Sequence, residues 1–231
     1  KEKGYVPTLK DHLTLPGSMT TNGKGDDITL KTPWTGDIID SGYFFKPVYE
    51  KYRHPGHIKV PFWLQPKKYY KGPAWYQQTV EIPASWAGKH LELELERVHW
   101  QSMVWIDGKQ AGAHNSLGTA HLYDLDHLLT PGKHRITVRV DNAVHEINVG
   151  PNSHSISDHT QTNWNGIIGH IQLVAKPQIY IANLQLYPDV AKKQVVADLE
   201  IVNNTGKPAQ ADVQLLAISN TKSGGTKSLS K

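Results

Sequence analysis

Gly72-Pro73-Ala74-Trp75-Tyr76 opens a run that reaches Ile82-Pro83 and Trp86. It then passes through Arg97-Val98-His99-Trp100 and Val104-Trp105-Ile106-Asp107-Gly108. Asn115-Ser116-Leu117, His121-Leu122-Tyr123-Asp124-Leu125 and Pro131-Gly132-Lys133 follow. The run ends at Arg139-Val140-Asp141-Asn142, and Trp164-Asn165-Gly166-Ile167 closes it. Within it, Leu91, Leu93 and Leu95 alternate with Glu92, Glu94 and Glu96, and Ile136, Val138 and Val140 alternate with Arg135, Thr137 and Arg139. A period of two puts one face in a core and the other in solvent, the signature of a β-strand. Asp107-Gly108 after an apolar run predicts a tight hairpin, because a type I′ turn needs positive φ at both central residues. Asp124 to Leu129 is the one helical hint, one or two turns long, and Thr130-Pro131-Gly132 stops it. The pattern predicts an antiparallel β-sandwich with long loops.

Working outward, the first seventy residues are irregular. Leu15-Pro16-Gly17-Ser18 and the stretch from Asn22 to Asp27 read as loops. Tyr43-Phe44-Phe45 and Val60-Pro61-Phe62-Trp63 are short apolar patches, expected to form edge strands or to pack across the sandwich. Beyond Pro177 the texture changes and tryptophan no longer occurs. Ile179 to Tyr187, Val195 to Val202 and Val213 to Ile218 are three further strand candidates, divided by turns at Asp189–Lys193 and Asn203–Gly206. An immunoglobulin-type sandwich needs about seven strands, so the chain is expected to stop inside a second β domain. The expected boundaries are 1–177 and 178–231.

A chain of 231 residues buries a core without covalent staples. Cysteine is absent, which excludes disulfides, a thiolate nucleophile and cysteine metal sites. The formal charge of +4 comes from 25 Lys and Arg against 21 Asp and Glu, scattered along the chain. A nucleic-acid binder would gather such charge on one face, so no nucleic-acid partner is expected. No apolar stretch approaches the ~20 residues that span a bilayer, so no membrane partner is expected either. The chain opens Lys1-Glu2-Lys3 with no apolar leader in view. Seven Trp and ten Tyr against three Phe favour rings with an apolar body and a polar tip, which suit half-buried sheets and sugar faces alike.

The order of these motifs resembles glycoside hydrolase family 2, the β-galactosidase and β-glucuronidase group. Trp75-Tyr76, Ile82-Pro83 and Trp86-Ala87-Gly88-Lys89 match its opening segments. Val104-Trp105-Ile106-Asp107-Gly108 is similar to its hairpin, Tyr123-Asp124-Leu125 to its turn, and Gly166-Ile167-Ile168-Gly169-His170-Ile171 to its closing strand. That strand usually carries Arg where Gly169 stands. The resemblance implies an all-β fold: a galactose-binding-like jelly-roll β-sandwich followed by a partial immunoglobulin-like β-sandwich. It also implies a TIM barrel in the same polypeptide, which supplies both catalytic carboxylates. This chain has no Asn-Glu dipeptide and no room for a barrel of ~250 residues. Retaining hydrolysis needs two carboxyl groups about 5 Å apart, and no pair here has a claim to that role. The chain is therefore expected to be a non-catalytic region whose partners are carbohydrate and the missing carboxy-terminal barrel. Export to the periplasm or outside a bacterial cell is implied by the resemblance alone.

The resemblance also directs attention to the polar loop before Trp164. Sugar hydroxyls pair with planar bidentate side chains, and a ring's C–H face stacks on an aromatic. Asp158, His159, Gln161, Asn163 and Trp164 provide that set, unless the loop merely caps the sandwich with Trp164 in the core. Asn115, with Ser116 and His121, sits on a second loop that could reach a ligand or a neighbouring domain, or be satisfied by its own backbone. Trp75, Trp86, Trp100 and Trp105 read as core. The pairs His54/His57 and His154/His159 stand three and five apart but read as lying in loops or strands, where such spacing does not make ligands converge, which argues against a histidine metal site. No cofactor is expected, although Asp26-Asp27 in a Gly-rich loop could hold a structural calcium. Two other readings stay open at this point: a self-standing carbohydrate-binding module, and a structural or adhesive β-sandwich.

Overall fold

The computed structural model describes residues 11–144, 150, 152–154, 156–160 and 162–216. The chain divides into two compact units between Ala175 and Lys176. In chain order the strands are β1 (Gly17–Ser18), β2 (Asp26–Asp27), β3 (Lys68–Tyr69), β4 (Pro73–Ile82), β5 (His90–Leu95), β6 (Val98–His99), β7 (Gln101–Ile106), β8 (Lys109–His114), β9 (His121–Asp124), β10 (Gly132–Asp141), β11 (Gly166–Ile167), β12 (Ile171–Lys176), β13 (Ile179–Asp189) and β14 (Gln194–Asn203). Three short 3-10 helices are the only helices among the described residues. The fold is all-β, as the alternation requires.

In the first unit, an antiparallel sheet ordered β4-β10-β7-β8 packs on a sheet ordered β12-β5-β9. Leu91, Leu93 and Leu95 of β5 and Tyr123 of β9 meet Ala74, Tyr76, Val104, Ile106, Val138 and Val140 in one core. Burying each such side chain stabilises by about 1.5–3 kcal/mol. Asp107 and Gly108 adopt φ of 50° and 86°, the positive values of a type I′ turn, and join β7 to β8 as expected. The segment after Asp124 makes a single turn closed by Leu129 N–H on the Leu125 carbonyl.

Three expectations need correction. Trp75 and Trp105 lie on the outer face of the four-stranded sheet, not in the core. They stack on each other across β10 with ring centroids 5.2 Å apart. Thr137, which pairs with Gln77 and Trp105, is buried although its side chain points away from the core. Trp100 is buried as expected, and Trp86 packs against the core from the side. Second, neither apolar patch of the early chain is a strand. Ser41–Phe44 is a 3-10 turn whose Gly42 N–H donates to the Asp40 carboxylate, and residues 60–63 are irregular around Pro61. Third, residues 213–216 form no strand, while 217 and 218 lie outside the described residues. The second unit's described strands are one hairpin, β13 with β14, and it exposes Ile181, Leu184, Leu186, Val195, Val196 and Ile201.

Two fully buried asparagines tie the sandwich to its loops. Asn142, just past β10, donates from Nδ2 to the carbonyls of Tyr70 (2.8 Å) and Asn163 (3.1 Å), and accepts from Gly72 N–H (2.8 Å). Asn165 donates to the carbonyls of Gly72 (2.8 Å) and Val140 (2.9 Å) and accepts from the Tyr76 hydroxyl (3.0 Å). The Asn165 carbonyl in turn accepts from Met19 N–H. These bonds fix the start of β4, the end of β10 and the segment 163–165 as one body. Gly166 follows, paired with both Ser18 and His99. A Cβ there would stand 2.3 Å from the Gly17 carbonyl oxygen, a backbone atom that cannot swing aside. Gly166→Ala should therefore destabilise the first unit by about 2–4 kcal/mol, read as a lower denaturation midpoint at unchanged m-value.

Candidate functional site

Asn142 and Asn165 deliver the end of the polar loop to a fixed point, and Asp158 fixes its middle. Its carboxylate is 1% exposed. Oδ2 accepts the backbone N–H groups of Thr35 (2.5 Å) and Gly36 (3.1 Å), and Oδ1 accepts Asn163 N–H at 3.3 Å. Asn163 Nδ2 donates to Thr35 Oγ1 at 2.9 Å. Residues 34–37 and 157–163 are thus bound face to face although more than a hundred positions separate them. Gly36 permits the approach: a Cβ there would meet His159 Cδ2 at 2.8 Å. Asn152 closes the outer side, accepting Asp37 N–H and standing 3.2 Å from His159 Nε2. Ser157 Oγ and Asn163 Oδ1 are buried without a hydrogen-bond partner among the described residues.

A third segment seals this pair. Phe62 lies edge-on to both His159 (4.8 Å) and Trp34 (5.3 Å), and Trp34 is edge-on to Tyr69. Trp63 N–H donates to the His159 carbonyl at 3.0 Å. Burial pushes the Tyr69 hydroxyl up to about 12, with the Asp158 and Asp26 charges adding to it.

The expected site residues separate into groups. Asp158 is buried and holds backbone N–H groups, and Asn163 is buried with its amide on the Thr35 hydroxyl. His159 is half-buried and its ring faces Phe62 and Asn152. Trp164 is half-buried and stacks on His99 at 4.6 Å, while its carbonyl accepts from His99 Nδ1 at 2.6 Å. Gln161 lies outside the described residues. Asn115 is exposed on the β8–β9 loop, where Thr119 bonds Ser116 and His121 Nε2 donates to the Ser116 carbonyl. Thr119 and His121 thus brace this loop around Ser116.

Two other clusters resemble chemistry and are structural. Ser102 Oγ stands 2.5 Å from His121 Nδ1 and 2.6 Å from the Tyr123 hydroxyl. This is the spacing of a nucleophile and its base, but Ser102 and His121 are both wholly buried, so no substrate carbonyl reaches them. Burial lowers the His121 pKa and pushes the Tyr123 hydroxyl to about 12. Among the described residues, His90, Asp124 and Asp126 bring their ligand atoms within 4.8 Å of one another. Asp126 already takes Leu91 N–H on one oxygen and His90 Nδ1 on the other, and Asp124 takes Asp126 N–H, so the cluster pins β5 to the following turn. Asp27 pairs with Lys68 at 2.6 Å.

A family model described as "Glycosyl hydrolases family 2, sugar binding domain" matches residues 26–177. This chain belongs to that family. It is 27% identical over 152 residues to a β-galactosidase of Arthrobacter sp. (strain B7), covering 64% of this chain and 14% of that protein. It is 22% identical over 145 residues to a β-glucuronidase of Paenibacillus borealis, covering 56% of this chain and 24% of that protein. The chain thus spans at most about a quarter of the length of these relatives. The apo structure of a β-glucuronidase from Ruminococcus gnavus shares the fold at a TM-score of 0.50 and 18% identity, over 64% of this chain and 27% of that one. The match contains the whole three-segment cluster of this family 2 sugar-binding domain. Sequence reasoning missed Asn142, Asn165 and Trp63, because nothing in their local pattern distinguishes them.

Two predictions follow from the cluster. Asp158→Ala removes the acceptor of three backbone N–H groups and should cost about 2–4 kcal/mol, with faster amide exchange at Thr35 and Gly36 while β10 stays protected. The second concerns pH. Burial lowers the His99 pKa to about 4, against an ordinary value near 6.5. Between these values the unfolded chain takes up a proton that the folded chain refuses, so stability falls as pH drops through that window. Unfolding at pH 4.5 should be easier than at pH 7 by about 2–3 kcal/mol from His99 alone. A His99→Gln variant should lose that much of the pH dependence in denaturant titrations.

Proposed function

We propose that this chain is the non-catalytic amino-terminal region of a retaining β-glycosidase that removes terminal β-linked sugars in the full-length, exported protein. Its work there is to buttress the catalytic barrel and to shape the sugar-proximal rim. The observation that carries the reading is the clamped loop 152–164: a polar, hydrogen-bond-rich segment held rigidly by Asp158, Asn163 and Asn165 in a domain of the family 2 sugar-binding type. Rigid placement of polar groups is what orientation of a sugar needs. His159, Gln161, Trp164 and Asn115 are the side chains assigned to the sugar side, while Asp158 and Asn163 anchor the loop that carries His159 and Trp164.

A carbohydrate-binding module acting alone remains the second reading, favoured by the polar and aromatic content of that loop. The isolated chain should hydrolyse no aryl β-glycoside at a measurable rate and give no heat in calorimetric titration against a glycan panel. The full-length protein should turn over aryl β-glycosides with retention of anomeric configuration. Heat from the isolated chain would favour the module; turnover by it would overturn the buttress reading.

A further inference from the structure

Six of the seven tryptophans have a ring or core partner. Trp75 and Trp105 cover each other, Trp164 lies on His99, and Trp34 is bracketed by Phe62 and Tyr69. Trp100 is buried and Trp86 packs on the core. Trp63 alone presents its indole to solvent, at 86% exposure. Its backbone is nonetheless well fixed. Its N–H bonds the His159 carbonyl, its neighbour Phe62 is wedged between His159 and Trp34, and the Gln65 side chain bridges Val60 N–H (2.8 Å) and the Ile58 carbonyl (2.9 Å). An exposed indole on an anchored backbone loses little freedom when it meets a ligand.

We propose that the Trp63 indole is a sugar-stacking face at the rim of the 152–164 loop, taking the C–H face of a pyranose. This rests on the reading of that loop as sugar-proximal. An indole offers a flat apolar surface with a donor at its edge, the match for a ring whose hydroxyls are equatorial and whose faces are C–H. The Trp63 backbone sits on His159, whose ring is joined through Asn152 to Asp37 by hydrogen bonds, and these side chains supply the polar half. Leu64, the next residue, is exposed as well.

The test compares the full-length wild-type protein with Trp63→Ala and Trp63→Phe, using a panel of aryl β-glycosides and the matching β-linked disaccharides. Trp63→Ala should raise KM for the disaccharide about five- to tenfold, leave kcat nearly unchanged, and be largely rescued by Trp63→Phe. The wild-type minus Trp63→Phe emission should be quenched by acrylamide without sugar and shielded by the disaccharide. An unchanged disaccharide KM would overturn the proposal. So would a loss confined to kcat, or an indole already shielded without sugar, which would make the face a domain contact. If Trp63→Ala fails to fold, Trp63→Phe and the quenching decide. A wild-type protein inactive on every β-glycoside would sink the glycosidase reading and this proposal with it; an active one indifferent to Trp63 sinks only the proposal.

Discussion

A buried amide must satisfy its donors and acceptor or cost several kcal/mol. Asn142 and Asn165 meet that demand only if Tyr70, Gly72, Val140 and Asn163 bring their backbone groups to within about 3 Å. The requirement is mutual. Strand β4 cannot start elsewhere, β10 cannot end elsewhere, and the polar loop cannot return elsewhere without orphaning a buried group. The hydrophobic core makes the sandwich stable, but it tolerates small shifts of one sheet over the other. The two asparagines tolerate much less, and so they set the position of everything attached to residues 163–165.

Asp158 extends that rigidity outward by a different means. A wholly buried carboxylate is costly without compensation. Here three backbone N–H groups converge on it, and a charge-assisted hydrogen bond is stronger than a neutral one. The acid therefore acts as a clasp between two distant segments. The buried Ser102–His121–Tyr123 chain does comparable work inside the sandwich. Both show why residue types associated with catalysis need an accessibility argument before they are assigned a reaction.

The sequence made the sandwich legible because strands advertise themselves locally. Leu91, Leu93 and Leu95 alternate, and Asp107-Gly108 allows one turn geometry. The outer face of β10 was less legible: Trp75 and Trp105 match core residues in size, the alternation alone sets them opposite Tyr76 and Val104, and only the strand order shows that they meet across β10. The patch Tyr43-Phe44-Phe45 carries strand-like residues, yet the Asp40 side chain draws its backbone into a 3-10 turn. The candidate loop was visible from its polarity, but its anchors were not. Asn142 with Tyr70, Asn165 with Gly72 and Asp158 with Thr35 are partners separated by 72, 93 and 123 positions, and no local period encodes such pairs.

The division of labour in the loop has a consequence for divergence. Its fixed points are three: the Asp158 clasp, the Asn163 amide and the Asn165 stitch. Between and around them, positions such as 159, 160 and 162 carry no part of the sandwich's core. A lineage can therefore rewrite what the rim displays while inheriting the same mounting. The same logic makes the segment a natural graft: transplanted with its three anchors and Gly36, a foreign rim would arrive already oriented.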